Sequence, residues 1–239
     1  MQFIKYIGLT TICLMGIINA GFAQREWSNI SRDINNALQV DTIKKKQFTL
    51  IYINKSKDFD SSIGEQLKEV FFVNYPKQVK LYNKKSAPQV IFVIDPEYDG
   101  IAAAGGGVIR FNPEWFKKNP KDIDIVTHET MHLVQNYPNN AGPGWITEGI
   151  ADYVRHTMGV DNEGANWSLP EYRPNHKYTD AYRITARFFL WIEKNKKKGI
   201  MKSLDAQMRN KTYTEDFWVK MTGKNVDELW KEYAENPKI

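Results

Sequence analysis

Two histidines four residues apart, His128 and His132, followed by Glu148, constrain this chain more than any other feature. Residues four apart in a helix project from one face, so both imidazoles can reach a common point. A third donor sixteen residues beyond His132 reaches that point only if a second helix folds back on the first. The connecting stretch, Asn139-Asn140-Ala141-Gly142-Pro143-Gly144, has the composition of a tight loop. Two histidines and a carboxylate supply three protein donors, the number that leaves a catalytic zinc one open position. Glu129 lies about 100° round the helix from His128. That puts it beside the water of such a metal, where it could act as general base. Asp152, four residues after Glu148 and on the same face, could orient one of the histidines.

Each residue also has a plainer reading. Helix histidines can simply be satisfied by hydrogen bonds, and Glu148 suits the charge of a helix N-terminus. Asp152 could pair at the surface with Arg155 or His156. His156 is eight residues from Glu148 on one helix, too far to share a metal with it. The five residues together favour one zinc ion (Zn2+) held by His128, His132 and Glu148.

The first two dozen residues read as an export signal rather than as fold. Lys5 precedes an apolar run at 7–18, and Gly21 and Ala23 supply small residues before a cleavage placed after Ala23. The run is short for a bilayer span and lacks a basic stop-transfer flank. The expected mature chain is therefore 24–239, secreted or periplasmic, without stable membrane insertion. Cys13 is the sole cysteine and leaves with the signal, so no disulfide is expected and metal donors are limited to His, Asp, Glu, backbone or water. The formal net charge is +5. The lysine runs at 44–46 and 196–198 neither alternate with aromatics nor sit in a nucleic-acid motif, so a solvated basic face is expected and no nucleic-acid partner.

Strands are expected at 47–54, 78–82, 89–94 and 108–112. The nearly apolar 89–94 suits a central position covered on both faces. A helix opening after Asp60 should end near Pro76. The triple glycine at 105–107 lacks the Gly-Lys-Ser/Thr of a phosphate loop. It reads either as a turn before an edge strand, or as the approach to a strand, 108–112, that borders the cleft and pairs with an extended peptide. From residue 114 onward the pattern turns helical, with an irregular stretch at 159–178. Strands first and helices later indicate an α+β fold with a mostly antiparallel N-terminal sheet, an active-site helix pair and a helical C-terminal part. One domain is expected over 24–239: a lead-in at 24–46 that could shield the cleft, the sheet and active-site helix at 47–136, and the helical part at 137–239.

The segment Glu148-Gly149-x-Ala151-x-Tyr153 resembles the third-ligand segment of gluzincin metallopeptidases, such as the thermolysin and M1 aminopeptidase families. A closer resemblance is to the plant and bacterial basic secretory protein family, zinc metallopeptidases of gluzincin type. It rests on His128-Glu129-x-x-His132-x-x-Gln135, on Gly144-Trp145-Ile146-x-Glu148-Gly149-Ile150-Ala151-Asp152-Tyr153, and on the stretches 181–188 and 222–230. The resemblance implies a zincin-like fold with His128, His132 and Glu148 as zinc ligands and Glu129 as base. Only fifteen residues separate His132 from Glu148, fewer than in thermolysin or the M1 families. The substrate-binding details of those larger families therefore do not carry over.

Tyr182 is the favoured donor to a developing oxyanion, with Tyr178 and His176 as alternatives. The leading expectation is an exported zinc peptidase, monomeric, acting on peptide or protein substrates. A zinc amidase cleaving cell-wall or other amides would use the same site. From another class comes a secreted binding protein with a residual metal site. The open coordination position and the presence of Glu129 argue against it.

Overall fold

The computed structural model describes Trp27 and residues 29–239, so the expected signal at 1–23 lies outside the described residues. Among the described residues the first elements are α1 (Ile30–Asn35), β1 (Gln39–Lys45), β2 (Phe48–Asn54), α2 (Ser61–Leu81) and β3 (Gln89–Ile94). Next come β4 (Ala102–Gly105), β5 (Val108–Phe111), α3 (Pro113–Lys118), α4 (Ile125–Gln135) and α5 (Gly144–Met158). After a short 3-10 turn at Tyr178–Asp180 follow α6 (Tyr182–Asn195), α7 (Ile200–Arg209), α8 (Asp216–Thr222) and α9 (Val226–Glu235). The five strands form one sheet in the order β1-β2-β3-β5-β4.

The fold is α+β, as the order of strands and helices implies. The sheet, however, is mixed rather than mostly antiparallel. β1 with β2 and β4 with β5 run antiparallel, whereas β3 is parallel to both of its neighbours. The cause is α2, a crossover helix that returns the chain to the same end of the sheet before β3 begins. β3 takes the central, two-sided place expected of it. Phe92 and Ile94 face the main core, and Val93 packs with Ile53 and Val108 on the other side.

Three local expectations fail for identifiable reasons. α2 does not stop at Pro76 but continues to Leu81, absorbing the strand expected at 78–82. Pro76 removes one helical N–H, but Phe71, Tyr75, Gln78 and Val79 are all buried on this helix, and that packing outweighs the lost bond. Part of the lead-in, 39–45, is strand β1, paired along its whole length with β2. Strand 108–112 is not an edge. β5 lies between β3 and β4, and the edge is β4, an Ala-Ala-Ala-Gly segment that propensity would not choose.

The sheet and α2 hold the later helices in place. Side-chain amides of α2 and the turn after it reach the backbone and Thr127 of α4. Asn74 donates to Thr127 Oγ1 at 2.8 Å, Gln78 to the Thr127 carbonyl at 2.7 Å, and Asn83 to the Val134 carbonyl at 2.9 Å. These are buried bonds and therefore directional constraints on the helix that carries His128. On the far side, Gly149 lets α5 approach α6 closely, since a Cβ there would collide with Thr185 and Phe189.

Below the other face of the sheet lies a buried charge network. Arg110 on β5 bonds Asp33 at 2.6 Å and Asp95 at 2.8 Å, and Lys55 reaches the same two carboxylates at 3.1 and 2.8 Å. It ties α1 to the sheet. Burial opposes the charge on Asp95, but the Lys55 hydrogen bond, the Glu97 N–H and the charges of Lys55 and Arg110 outweigh it and hold the carboxyl below its usual range. The folded protein thus keeps Asp95 ionised to lower pH than the unfolded chain does. This contribution is whole above roughly pH 4 and is lost as pH falls through the depressed value. Arg110→Met should destabilise the protein by about 3–5 kcal/mol at neutral pH in urea unfolding, because it strands buried carboxylates. The cost should shrink in acid, as Asp95 takes up a proton.

Candidate metal centre

Each of the two site helices is set by a local device. α4 starts beside Asp124, whose buried carboxylate accepts from Thr127 Oγ1 at 2.9 Å and from the N–H groups of Val160 and Asp161 at 2.8 and 2.6 Å. This side chain also ties down the loop that leaves α5. α4 ends at Asn136, in the left-handed region at φ 38°, whose N–H returns to the His132 carbonyl at 3.0 Å. That is the usual way an asparagine stops a helix. The loop to α5 is short, and Gln135 spans it by donating to the Thr147 carbonyl at 2.9 Å.

The structure brings together His128, His132 and Glu148, as the spacing implies. The two Nε2 atoms lie 3.0 Å apart, and Glu148 Oε2 is 3.3 and 3.5 Å from them. Donors about 2.0–2.2 Å from a tetrahedral ion stand roughly 3.3–3.6 Å from one another. Both Glu148 distances fall in that range, and the two Nε2 atoms, slightly closer, need only a small parting of the rings to admit zinc. Both outer ring nitrogens are held. His128 Nδ1 is 2.7 Å from Asp152 Oδ1, and His132 Nδ1 is 2.8 Å from Gln135 Oε1. Asp152 therefore lies under a histidine rather than at the surface. Arg155, weighed as its partner, is buried and instead pairs with Asp122.

Charge is concentrated on this floor. Burial works against a charged His128, but its hydrogen bonds to Asp152 and Glu148 and the surrounding carboxylates outweigh that and push it up to about 10. Burial also resists ionisation of Glu148, yet the two imidazoles hold its carboxyl far below the usual range. Glu129 is buried beside them, its Oε2 without a hydrogen-bond partner, and burial raises its carboxyl above the ordinary value. A buried carboxylate oxygen left free in this way is costly in a purely structural role, but it suits a group whose partner arrives with the ligand.

Tyr182 is the first residue of α6 and stacks over His128, with ring centroids 6.3 Å apart and planes 18° from parallel. Both Ala181 and Tyr182 have positive φ, 63° and 49°, which for a bulky residue is strained. The Tyr182 side chain lines the cleft and is 55 % exposed. The alternatives lie elsewhere. Tyr178 donates to Asp227 at 2.8 Å, and His176 accepts from the Arg173 N–H. All six site residues expected from sequence line one cleft of about 1050 Å³. Its other wall is β4 with Ile101, not β5, which one of the two readings of the 105–112 stretch placed there. Sequence reasoning missed Asp124, the pair Asp122–Arg155 and the role of Gln135. Gln135 alone left a usable signal, since it follows His132 by three residues and so faces the same side. Replacing Asp152 by Asn should weaken zinc binding about 10–100-fold in competition with a chelator, with little change in far-ultraviolet circular dichroism.

No curated protein matches the chain. Among solved structures, aminopeptidase A of Legionella pneumophila in complex with aspartic acid aligns with a TM-score of 0.56 at 14% identity, covering 81% of this chain and 27% of that one. An M1 zinc metallopeptidase from Deinococcus radiodurans aligns at 0.55 and 11% identity, covering 84% and 52%. This chain thus spans about half or less of those proteins, and at such identities the likeness is one of fold, the zincin-like arrangement of sheet and helix pair. The family model described as peptidase of plants and bacteria matches residues 28–233. That match takes in the sheet, both site helices and the helices behind them, and by it the chain belongs to this family of plant and bacterial peptidases.

Proposed function

We propose that this protein is an exported zinc-dependent peptidase, monomeric, that cleaves peptide bonds with Glu129 as general base. The observation that carries the reading is the convergence of His128, His132 and Glu148 donor atoms within 4.8 Å of one another beside the partnerless carboxylate of Glu129. Bound there, zinc would supply Lewis acidity toward a carbonyl oxygen and make water easier to deprotonate.

The chain's own residues account for the rest. Glu129, raised by burial, is suited to take a proton from the attacking water and return it to the leaving amine. Asp152 and Gln135 hold the outer ring nitrogens of the histidines, which fixes the direction of both Nε2 lone pairs. Tyr182 is raised by the charge of Glu148 and by burial, so its hydroxyl keeps its proton and can donate to the oxyanion. Among the described residues β4 has no strand partner on its outer side, and it lines the cleft, so an extended peptide could pair with it. Its small side chains leave room for a substrate backbone to approach.

Glu129→Gln should retain one zinc per chain and lose hydrolysis of a peptide library by a hundredfold or more, within the usual worth of a general base. Undiminished hydrolysis would remove Glu129 from the mechanism. An unchanged zinc content after combined His128→Ala and His132→Ala replacement would remove the metal site itself.

A further inference from the structure

The side chains that line the cleft carry an uneven set of commitments. Four carboxylates face it, and three have partners. Asp152 holds His128, Glu148 lies against both imidazoles, and Asp122 accepts from Arg155 and from Trp115 Nε1 at 2.8 Å. The fourth is Glu129, buried beside the histidines. No other carboxylate is among the described residues that line the cleft.

The two cationic side chains of the cleft differ sharply. Arg155 is buried, bonded to Asp122 and Asn162, with its guanidinium 4.4 Å from the centre of the Trp167 ring. Arg183, next to Tyr182, is exposed and makes no ion pair among the described residues. Its one hydrogen bond is a long contact of 3.4 Å to the Ser168 carbonyl. That contact fixes it against the loop carrying Asn166 and Trp167, which line the same wall. Asn166 is in the left-handed region at φ 52°, and its side-chain amide has no hydrogen bond among the described residues. A guanidinium fork without an ion pair among the described residues, beside a side-chain amide lining the same cleft, can receive a carboxylate.

We propose that Arg183, assisted by Asn166, binds a carboxylate of the substrate and so sets the specificity of the cleft. This rests on the peptidase reading above. The carboxylate has two possible sources: an acidic side chain near the scissile bond, or the free C-terminus of a short peptide.

The test uses matched peptides on the full chain. One set places Glu or Gln at each position flanking a cleavable bond, with the C-terminus amidated. The other keeps a neutral sequence and compares the free C-terminal acid with its amide. kcat/KM is measured for wild type, Arg183→Gln and Arg183→Lys, and Kd for the same peptides on Glu129→Gln with and without Arg183→Gln. Wild type should favour the carboxylate member of one set by roughly fivefold or more, mainly in KM, as a partly exposed ion pair allows. Arg183→Gln should bring that ratio to about one, and Arg183→Lys should restore part of it. A preference in the first set identifies the side chain as the source, and in the second the C-terminus.

A wild-type ratio near one in both sets, or a ratio that survives Arg183→Gln, overturns the proposal. Cleavage without a carboxylate preference leaves the peptidase reading standing. Conversely, no cleavage with an Arg183-dependent preference in Kd removes the peptidase reading and keeps the carboxylate site.

Discussion

The crowding of three carboxylates around two imidazoles at the junction of α4 and α5 is the constraint on which the rest of this structure turns. Glu129, Glu148 and Asp152 are all wholly or largely removed from water. Like charges confined in this way repel one another and lose hydration, and the arrangement is stable only if the backbone beneath it cannot relax. The surrounding architecture meets that need. Amides from α2 and the turn after it grip α4 at Thr127 and Val134, Gln135 ties its last turn to α5, and Gly149 seats α5 against α6. A cation at the same point relieves the repulsion that the scaffold otherwise has to contain.

The chemistry of the site was more legible in the sequence than the layout of the sheet. Helical periodicity alone puts His128 and His132 on one face, and a three-residue Pro/Gly stretch before Trp145 implies the fold-back that brings Glu148 to them. Asp152 followed from its four-residue offset. The β4 edge left no such trace, since three alanines and a glycine have neither β-propensity nor alternation, and only pairing with β5 makes them a strand. Pro76 misled in the other direction. A proline predicts a helix boundary from local sterics, while the burial that carries α2 past it is tertiary. The pair Asp122–Arg155 and the carboxylate of Asp124 were illegible for a similar reason, because their partners are fixed only once α5 and the following loop are in place.

The two ends of β4 connect the cleft to a distant part of the chain. Trp27 donates its indole N–H to the Gly105 carbonyl at 3.2 Å and packs edge-on against Tyr98, whose hydroxyl lies 3.3 Å from the Ala102 carbonyl. Arg110, in the ion network, also donates to the Trp27 carbonyl at 2.7 Å. The described part of the lead-in therefore braces the cleft's edge strand, and none of its described residues lines the cleft. The position of the wall facing Glu129 depends on charges buried on the opposite side of the sheet.

The placement of the metal-type donors has a further consequence for how the molecule assembles. Every group that would touch or orient the ion, from His128 to Asp152, comes from one helix–loop–helix segment. The entropy of closing so short a loop is small, so these donors can meet early in folding with few long-range contacts. The wall opposite them is another matter. β4 is held at the cleft by β5, β5 pairs in turn with β3, and β3 is joined to β2 through the long α2 crossover. Ion binding and substrate binding thus belong to structures of different contact order, the first nearly local and the second dependent on the whole sheet.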